Sequence, residues 1–271
     1  MAKSKSRRSE SLPKIEFSGW RDPQKKWKQW VDRLTPKNSQ IWEKSGISQA
    51  IKASTYKIKR DEAVIVGLSE YWAPSTNSFE FNFGAATITL EDLMGLGGYS
   101  VFGEPVSLTV PEKLLGMQCQ ITQKHKWFYN NTSNRNPSFS CWMSHFMEEC
   151  EGEEIEHIGF LVLWLSRFVF PSNGDFVSRN VFSIAVHLAN ETRIALGPAV
   201  LPSIYGDLRT LSDFVSNGPK GHGLLPCTVY VPMQLVQLWA WEKFVLLSPY
   251  VARKTSDGDT WRQSGKGSNP R

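Results

Sequence analysis

One segment of 28 residues, 79–106, constrains the fold more than any other part of this 271-residue sequence. It reads FEFNFGAATITLEDLMGLGGYSVFGEPV and begins with three phenylalanines that alternate with polar residues. Those phenylalanines are Phe79, Phe81 and Phe83. A period of two is typical of a β-strand with one apolar face. Gly84–Ala85 then supplies a short connection, and residues 87–89 return to types that favour strands. The pattern predicts a β-hairpin near residues 79–89.

A short helix is predicted directly after the hairpin. Thr89 followed by Asp92 resembles a capping box, in which the two side chains satisfy free backbone N–H groups at the start of a helix. Gly97 and Gly98 are expected to end the helix, because glycine readily adopts the left-handed conformation needed there. A phosphate-binding loop would instead follow a strand and precede a helix. We therefore interpret the glycines as a structural turn.

Helical periodicity dominates the rest of the sequence. The main predicted helices cover residues 22–34, with a break at Thr35–Pro36, and residues 61–72, 160–170 and 199–215. Residues 1–14, which are basic, and residues 251–271 contain few apolar side chains, so we expect both ends to be disordered. The predicted fold is mainly α, a single multi-helix domain over residues 15–250 with one small β-hairpin.

Neither a membrane span nor a disulfide framework is expected. The most apolar run, residues 160–170, is too short to cross a bilayer and contains Arg167, so it predicts a buried helix. The N-terminal residues are polar and basic, unlike a secretory signal peptide. The four cysteines show no C-x-x-C spacing and are expected to be reduced thiols.

Several segments resemble, in order, the plant mobile domain family, also called the aminotransferase-like plant mobile domain. The F-x-F-x-x-G-x-x-T-I-T-L-E-D core of that family begins at Phe79. The other similar segments are residues 42–60, 67–72, 160–171, 185–209 and 235–249. The similarity covers about residues 15–250. Relatives usually carry Glu where Ala85 stands, and they often continue well beyond residue 249. The resemblance therefore implies a C-terminally shortened member of the family.

The resemblance implies a role shared with transposable elements and with host nuclear proteins of transposon silencing, genome maintenance and meristem maintenance. We expect a non-enzymatic nuclear interaction module with nuclear protein partners; a cytoplasmic location is the alternative. Two other functions stay open: an enzyme or enzyme remnant derived from a mobile element, and direct DNA binding through the basic N-terminal region. An aminotransferase would need a Schiff-base lysine and a pyridoxal phosphate site. Lys57, Lys59 and Lys113 lie in polar contexts, so no cofactor or catalytic residue is predicted.

Basic residues are concentrated near the N-terminus. Residues 1–60 contain 16 Lys and Arg but 5 Asp and Glu, a net charge of +11, whereas the remaining 211 residues carry −6. Lysines there alternate with Trp27 and Trp30, a mixture that can contact phosphates and stack on bases. The predicted nucleic-acid contacts are Lys25, Lys26 and Lys28. The alternative is that both tryptophans, three residues apart on a helix, face the core while the lysines face water.

Two groups of residues could supply metal ligands, but neither has a recognised spacing. Six glutamates between Glu148 and Glu156 lack the pattern of a calcium loop. A solvated loop and helix N-terminus is expected there, because carboxylates favour that end of a helix. The soft-metal candidates are Cys141, His145, Cys150 and His157. Without a second paired motif they predict ordinary thiols and histidines. Ser166 lacks a G-x-S-x-G turn and is expected to be a packing residue.

Overall fold

The structure, a computed structural model, describes residues 14–132, 135–217 and 226–249. These residues form ten α-helices and two small β-sheets, so the prediction of a mainly α fold is confirmed. The expected disordered ends, residues 1–14 and 251–271, lie outside the described residues apart from Lys14. No helix in the described ranges is long and apolar enough to cross a membrane.

The helices and strands are numbered in chain order. The helices are α1 (Lys25–Lys44), α2 (Ser48–Ala53), α3 (Glu62–Ser69), α4 (Leu90–Gly97), α5 (Leu115–Asn131), α6 (Phe139–Glu148), α7 (Glu154–Trp164), α8 (Phe182–Ala189), α9 (Leu196–Asn217) and α10 (Gln234–Lys243). The strands are β1 (Ile15–Phe17), β2 (Trp72–Ala73), β3 (Ser78–Phe81), β4 (Gly84–Ala86) and β5 (Cys227–Val229). Strands β2, β3 and β4 form an antiparallel sheet, and β1 pairs in parallel with β5.

Helix α7 lies in the core, and every one of its residues from Ile155 to Trp164 is buried. Helices α5, α6 and α8 pack against it, and the chain continues into a buried π-helical turn, Leu165–Val169. A helix that is apolar on nearly all sides is stable only when neighbours cover it all round. The prediction of a buried helix over residues 160–170 is thus confirmed through Val169.

Helix α1 runs straight through the predicted break at Thr35–Pro36, so that prediction is wrong. A proline inside a helix removes one backbone hydrogen bond and costs roughly 3 kcal/mol. Pro36 itself is exposed, while Leu34 and Asn38 on either side of it are buried against the core. Tertiary packing on both sides therefore outweighs the local preference of proline.

Helix α3 is shorter than the predicted helix over residues 61–72. Asp61 is its N-cap, and the carboxylate accepts a hydrogen bond from the backbone N–H of Val64 at 3.3 Å. The helix ends at Ser69, and Trp72 lies instead in β2, paired with Phe79 of β3. A tryptophan suits a strand as well as a helix, and the pairing with β3 decides between them.

The predicted β-hairpin exists, but its turn and its extent differ from the prediction. The connection between β3 and β4 is Asn82–Phe83 rather than Gly84–Ala85, because both of those residues lie in β4. Gly84 has φ +139°, a conformation that disfavours any side chain. Residues 87–89 lie outside the sheet, and β2 adds a third strand that was not predicted.

The apolar face of β3 is covered at one end only. Phe79 is fully buried, with its ring centroid 4.9 Å from Trp72 and 5.0 Å from Trp239. The rings of Phe81 and Phe83 stack with centroids 5.1 Å apart, yet Phe83 is 78% exposed. The three side chains share a face as predicted, but the face extends beyond the core into solvent.

The capping box and the glycine C-cap of α4 are both confirmed. The Asp92 N–H donates to Thr89 Oγ1 at 3.2 Å, and the Thr89 N–H donates to Asp92 Oδ2 at 2.8 Å. Burial raises the pKa of Asp92, but hydrogen bonds from Thr89 and Lys243 outweigh it and hold that pKa below its usual value. Gly98 ends the helix with φ +69°. The glycines thus stand at the C-terminal end of a helix, the end that repels anions.

Candidate functional site

The three predicted nucleic-acid contacts are exposed but do not share one face of α1. Lys26 Nζ lies 2.9 Å from Glu148 Oε1 of α6. Lys28 lies about 200° further round the helix, because each residue turns the helix by about 100°. Within the described ranges, neither Lys25 nor Lys28 has a carboxylate within 4.0 Å. Lys25 and Lys28, three residues apart, therefore lie on the same side of the helix, whereas Lys26 points away from them towards α6.

Trp27 and Trp30 belong to the core, which confirms the alternative interpretation of that segment. Trp27 is 1% exposed and stacks on Phe160 of α7, with ring centroids 4.8 Å apart. Trp30 is fully buried and meets the same ring edge-on at 5.2 Å. Neither indole is available to stack on a base. The aromatic side chains of α1 instead attach the helix to α7.

Five of the six glutamates between Glu148 and Glu156 are exposed, as expected, but Glu156 is 2% exposed. Its Oε1 accepts hydrogen bonds from Trp30 Nε1 at 2.8 Å and from the Arg33 guanidinium. Its Oε2 accepts a hydrogen bond from the backbone N–H of Gly152 at 2.7 Å. Sequence reasoning missed this residue, although its place one turn before Phe160 on an apolar helix was a usable signal.

A polar cleft of about 310 Å³ lies between α1 and the start of α7, lined among others by Lys37, Asn38, Glu156 and His157. His157 Nε2 accepts a hydrogen bond from Trp42 Nε1 at 2.9 Å. Burial lowers the pKa of His157 to about 4, so the ring is neutral at pH 7. The cleft therefore places a neutral imidazole beside a carboxylate whose two oxygens already accept hydrogen bonds from the protein.

The soft-metal candidates are only partly brought together. His145 Nε2 lies 3.7 Å from Cys150 Sγ and 3.3 Å from Lys124 Nζ, whereas Cys141 is exposed and His157 lies in the polar cleft. Burial raises the pKa of Cys150, which favours the thiol over the thiolate needed to bind a metal. In the part of the chain that the structure describes, no three His, Cys, Asp or Glu side chains are placed to hold a metal ion.

Ser166 and its neighbour Arg167 each form a hydrogen bond with the backbone of another segment. Ser166 is fully buried, and its hydroxyl accepts a hydrogen bond from the backbone N–H of Ser178 at 3.1 Å. Arg167 donates to the backbone carbonyl of Asp22 at 2.8 Å, and its guanidinium lies 5.3 Å from the ring centre of Phe139. The packing role expected for Ser166 is confirmed by these contacts.

A cleft of about 360 Å³ lies where the loop after α4 meets the α1–α2 turn and the segment before α9. The exposed side chains that line it are Glu43, Gln49, Met94, Phe102 and Arg193, and we call this set the Phe102 surface. Phe102 is 75% exposed. Arg193 has no carboxylate within 4.0 Å among the described residues. An exposed aromatic ring and a guanidinium without such a carboxylate thus line the same cleft.

Glycines allow the backbone segments around the Phe102 surface to approach one another closely. Gly98, at φ +69°, packs on the backbone of Ala50, which a Cβ at this position would overlap. Gly103, at φ +140°, packs in the same way on the carbonyl of Arg193. A side chain at either position would force the segments apart. Gly98, one of the glycines weighed above as a phosphate loop, therefore helps to build this surface.

Hydrogen bonds hold the loop that carries Phe102. The Glu104 N–H donates to the Arg193 carbonyl at 2.8 Å, and the Ala195 N–H donates to the Glu104 carbonyl at 2.9 Å. The Gly197 N–H donates to the Ser100 carbonyl at 2.9 Å, and the Ser100 hydroxyl donates to the Ile194 carbonyl. Phe102 therefore extends from a fixed backbone. Sequence reasoning did not single out Phe102 or Arg193; the glycines on either side of Phe102 were the only signal.

The molecule is a mainly α domain with a preformed, exposed aromatic surface built from three segments that are distant in the sequence. Each of those segments lies within one of the regions that carry the family resemblance, residues 42–60, 79–106 and 185–209. The chain matches the plant mobile domain over residues 46–269. This protein belongs to the plant mobile domain family.

One curated relative is Protein MAIN-LIKE 2 of Arabidopsis thaliana. It is 35% identical over 74 residues, which are 27% of this chain and 11% of that protein. The similar region thus covers about a tenth of the relative's length. No solved structure matches this chain.

Proposed function

We propose that this protein is a non-enzymatic interaction module that acts in nuclear assemblies, and that a partner protein binds at the Phe102 surface. Membership of the plant mobile domain family supports the proposal. The family resemblance further suggests that these assemblies serve transposon silencing, genome maintenance or meristem maintenance.

The observation that carries the proposal is the 75% exposure of Phe102 on a backbone held by hydrogen bonds and glycine contacts. An apolar side chain that is already fixed loses little conformational freedom when a partner covers it. Aromatic residues and arginine are also the types that contribute most to binding at protein interfaces. The combination with Arg193 suits a partner that presents an apolar side chain next to a carboxylate.

The test compares two equally exposed phenylalanines. Tagged wild type, Phe102→Ser, Arg193→Glu and Phe83→Ser are purified from plant nuclei, and the bound proteins are quantified by mass spectrometry. Phe83, 78% exposed on the hairpin turn, is the matched control. We expect the Phe102 and Arg193 variants to lose partners that wild type and Phe83→Ser retain. Unchanged partners in Phe102→Ser, or equal losses in Phe83→Ser, would contradict the proposed surface.

Two parts of the proposal are tested separately. A fluorescent fusion that stays in the cytoplasm would contradict the nuclear location. The enzyme or enzyme remnant stays an alternative prediction, and the polar cleft is where its reacting groups would be sought. A catalytic turnover that His157→Gln or Lys37→Ala abolishes, while the fold is retained, would overturn the non-enzymatic part.

A further inference from the structure

A second surface is an open cleft of about 700 Å³ between the segment that precedes α1 and the loop that follows α2. We call it the Lys59 cleft, and its lining residues are Trp20, Asp22, Lys57, Ile58, Lys59 and Arg60. Three of these side chains are cationic and one is anionic, so the cleft carries a net positive charge. A positive cleft concentrates anionic ligands near its walls.

The loop that carries the three cations is attached to the core by one buried side chain. Gln237 of α10 is fully buried. Its Oε1 accepts a hydrogen bond from the Asp61 N–H at 2.7 Å, and its Nε2 donates to the Lys59 carbonyl at 2.9 Å. The Arg60 guanidinium also lies 5.1 Å from the ring centre of Phe17. The cations are therefore presented from a fixed backbone, as a binding site requires.

The charges of the cleft are only weakly paired. Arg60 Nη2 lies 3.0 Å from Glu62 Oε1, and both side chains are exposed. Lys57 Nζ lies 3.0 Å from Asp22 Oδ2, but the two side chains are 72% and 47% exposed, and exposed ion pairs of this kind are weak. Lys59 is exposed, and among the residues that the structure describes no carboxylate lies within 4.0 Å of it. A phosphate can thus approach Lys59 directly and share Lys57 with Asp22.

Aromatic side chains accompany the cations. Trp20 lines the cleft and is partly exposed, and Tyr56, next to Lys57 in the loop, is 60% exposed. A groove with cations for the phosphates and aromatic rings for the bases is typical of proteins that bind single strands. We propose that the Lys59 cleft binds single-stranded nucleic acid, with Lys57 and Lys59 on the phosphates and an aromatic ring under a base. The proposed contact lies in the loop after α2, while contact through Lys25, Lys26 and Lys28 of α1 stays a separate prediction.

The experiment measures binding of the full chain to fluorescent oligothymidylate by anisotropy between 50 and 200 mM salt. Wild type is compared with Lys57→Ala/Lys59→Ala, Tyr56→Ala, Lys26→Ala and Lys126→Ala. Lys126 is an exposed lysine of α5 outside the cleft and controls for loss of charge alone. We expect the double variant to bind at least tenfold more weakly. Its salt slope should fall by about 1.4, because each phosphate contact in a single strand contributes about 0.7.

Other outcomes decide against the proposal. Equal weakening in Lys126→Ala or Lys26→Ala would show attraction to overall charge and would overturn the site. An unchanged affinity in Tyr56→Ala together with equal binding of duplex DNA would overturn the preference for single strands. Failure to bind any oligonucleotide, with binding of a polyglutamate probe instead, would assign the cleft to an acidic protein. Circular dichroism of each variant separates lost binding from lost folding.

Discussion

The aromatic side chains of α1 and those of residues 79–83 are both regularly spaced, but they differ in how completely the core covers them. Trp27 and Trp30 of α1 are 1% and 0% exposed. In the other segment Phe79 is fully buried, whereas Phe83 is 78% exposed. Periodicity shows which side chains share a face. Whether that face is covered depends on what packs against it. Here α7 covers the tryptophans, while Phe83 meets only the rings of Phe81 and Phe244 and stays largely exposed.

Charged residues of α1 and of the loop after α2 also differ in how they are paired. Lys26 pairs with Glu148, and Arg33 pairs with Glu151 at 3.2 Å and with the buried Glu156. These acidic partners come from the part of the chain that carries the negative charge. Part of the positive charge of residues 1–60 is thus paired with the glutamates of residues 148–156, on which α1 packs. The Lys57–Arg60 loop, in contrast, keeps Lys59 without such a partner among the described residues.

Of the variants considered, Trp30→Ala should destabilise the protein most. We expect a loss of about 3–5 kcal/mol in the free energy of unfolding, as for other buried large-to-small changes, and the Glu156 carboxylate also loses a donor. Phe83→Ala, at the exposed end of β3, should change it by less than about 0.5 kcal/mol. Urea unfolding measures both. Similar losses in the two variants would mean that Phe83 is covered in solution.

Glu156→Leu should destabilise the protein by about 3 kcal/mol, because Arg33, Trp30 and the Gly152 N–H lose their shared acceptor. Glu156→Gln keeps the shape and should cost less. Glu153→Gln, in the same run of glutamates but exposed, is the matched control and should cost less than about 0.5 kcal/mol. Equal effects at positions 153 and 156 would contradict the buried role of Glu156.

Acid should weaken the fold through His157. Its pKa is lowered from 6.5 to about 4 in the folded protein, so the unfolded chain binds the proton more tightly. The stability that the neutral ring contributes is complete above pH 6.5 and is lost as pH falls towards 4, by up to about 3 kcal/mol. Urea unfolding at a series of pH values measures this loss, and His157→Gln, which can still accept from Trp42, should lack it. A parallel pH dependence in both proteins would contradict the assignment.

Gly98→Ala should destabilise the protein by about 2 kcal/mol, because alanine disfavours φ +69° and its Cβ would overlap the backbone of Ala50. Gly95→Ala in α4 is the control, since a Cβ there meets nothing within 4 Å. It should stabilise the helix by up to about 1 kcal/mol. Thermal unfolding compares the two. A neutral Gly98→Ala would mean that the loop carrying Phe102 is less constrained than described.

Local patterns in the sequence predicted the features whose causes are local. The capping box of Thr89 and Asp92 and the glycine end of α4 follow from contacts within one or two turns. The spacing of Trp27 and Trp30 showed that they share a face of α1, but Phe160 of α7 is what buries them. The break at Thr35–Pro36, the turn of the hairpin and the place of Trp72 were predicted wrongly. Packing of α1 on the core keeps the helix continuous through Pro36, and pairing with β3 places Trp72 in a strand. The Phe102 surface was not predicted, since its three parts lie far apart in the sequence.

The sequence by itself determined the class of fold, the family and the faces of the main helices, because periodicity, caps and ordered motifs depend on residues near one another. Only the tertiary structure decided which aromatic faces are covered and which cations are paired. Burial and ion pairing depend on elements that meet from more than a hundred residues away, such as Trp30 with Glu156 and Lys59 with Gln237. Spacing along the chain carries no information about such distances.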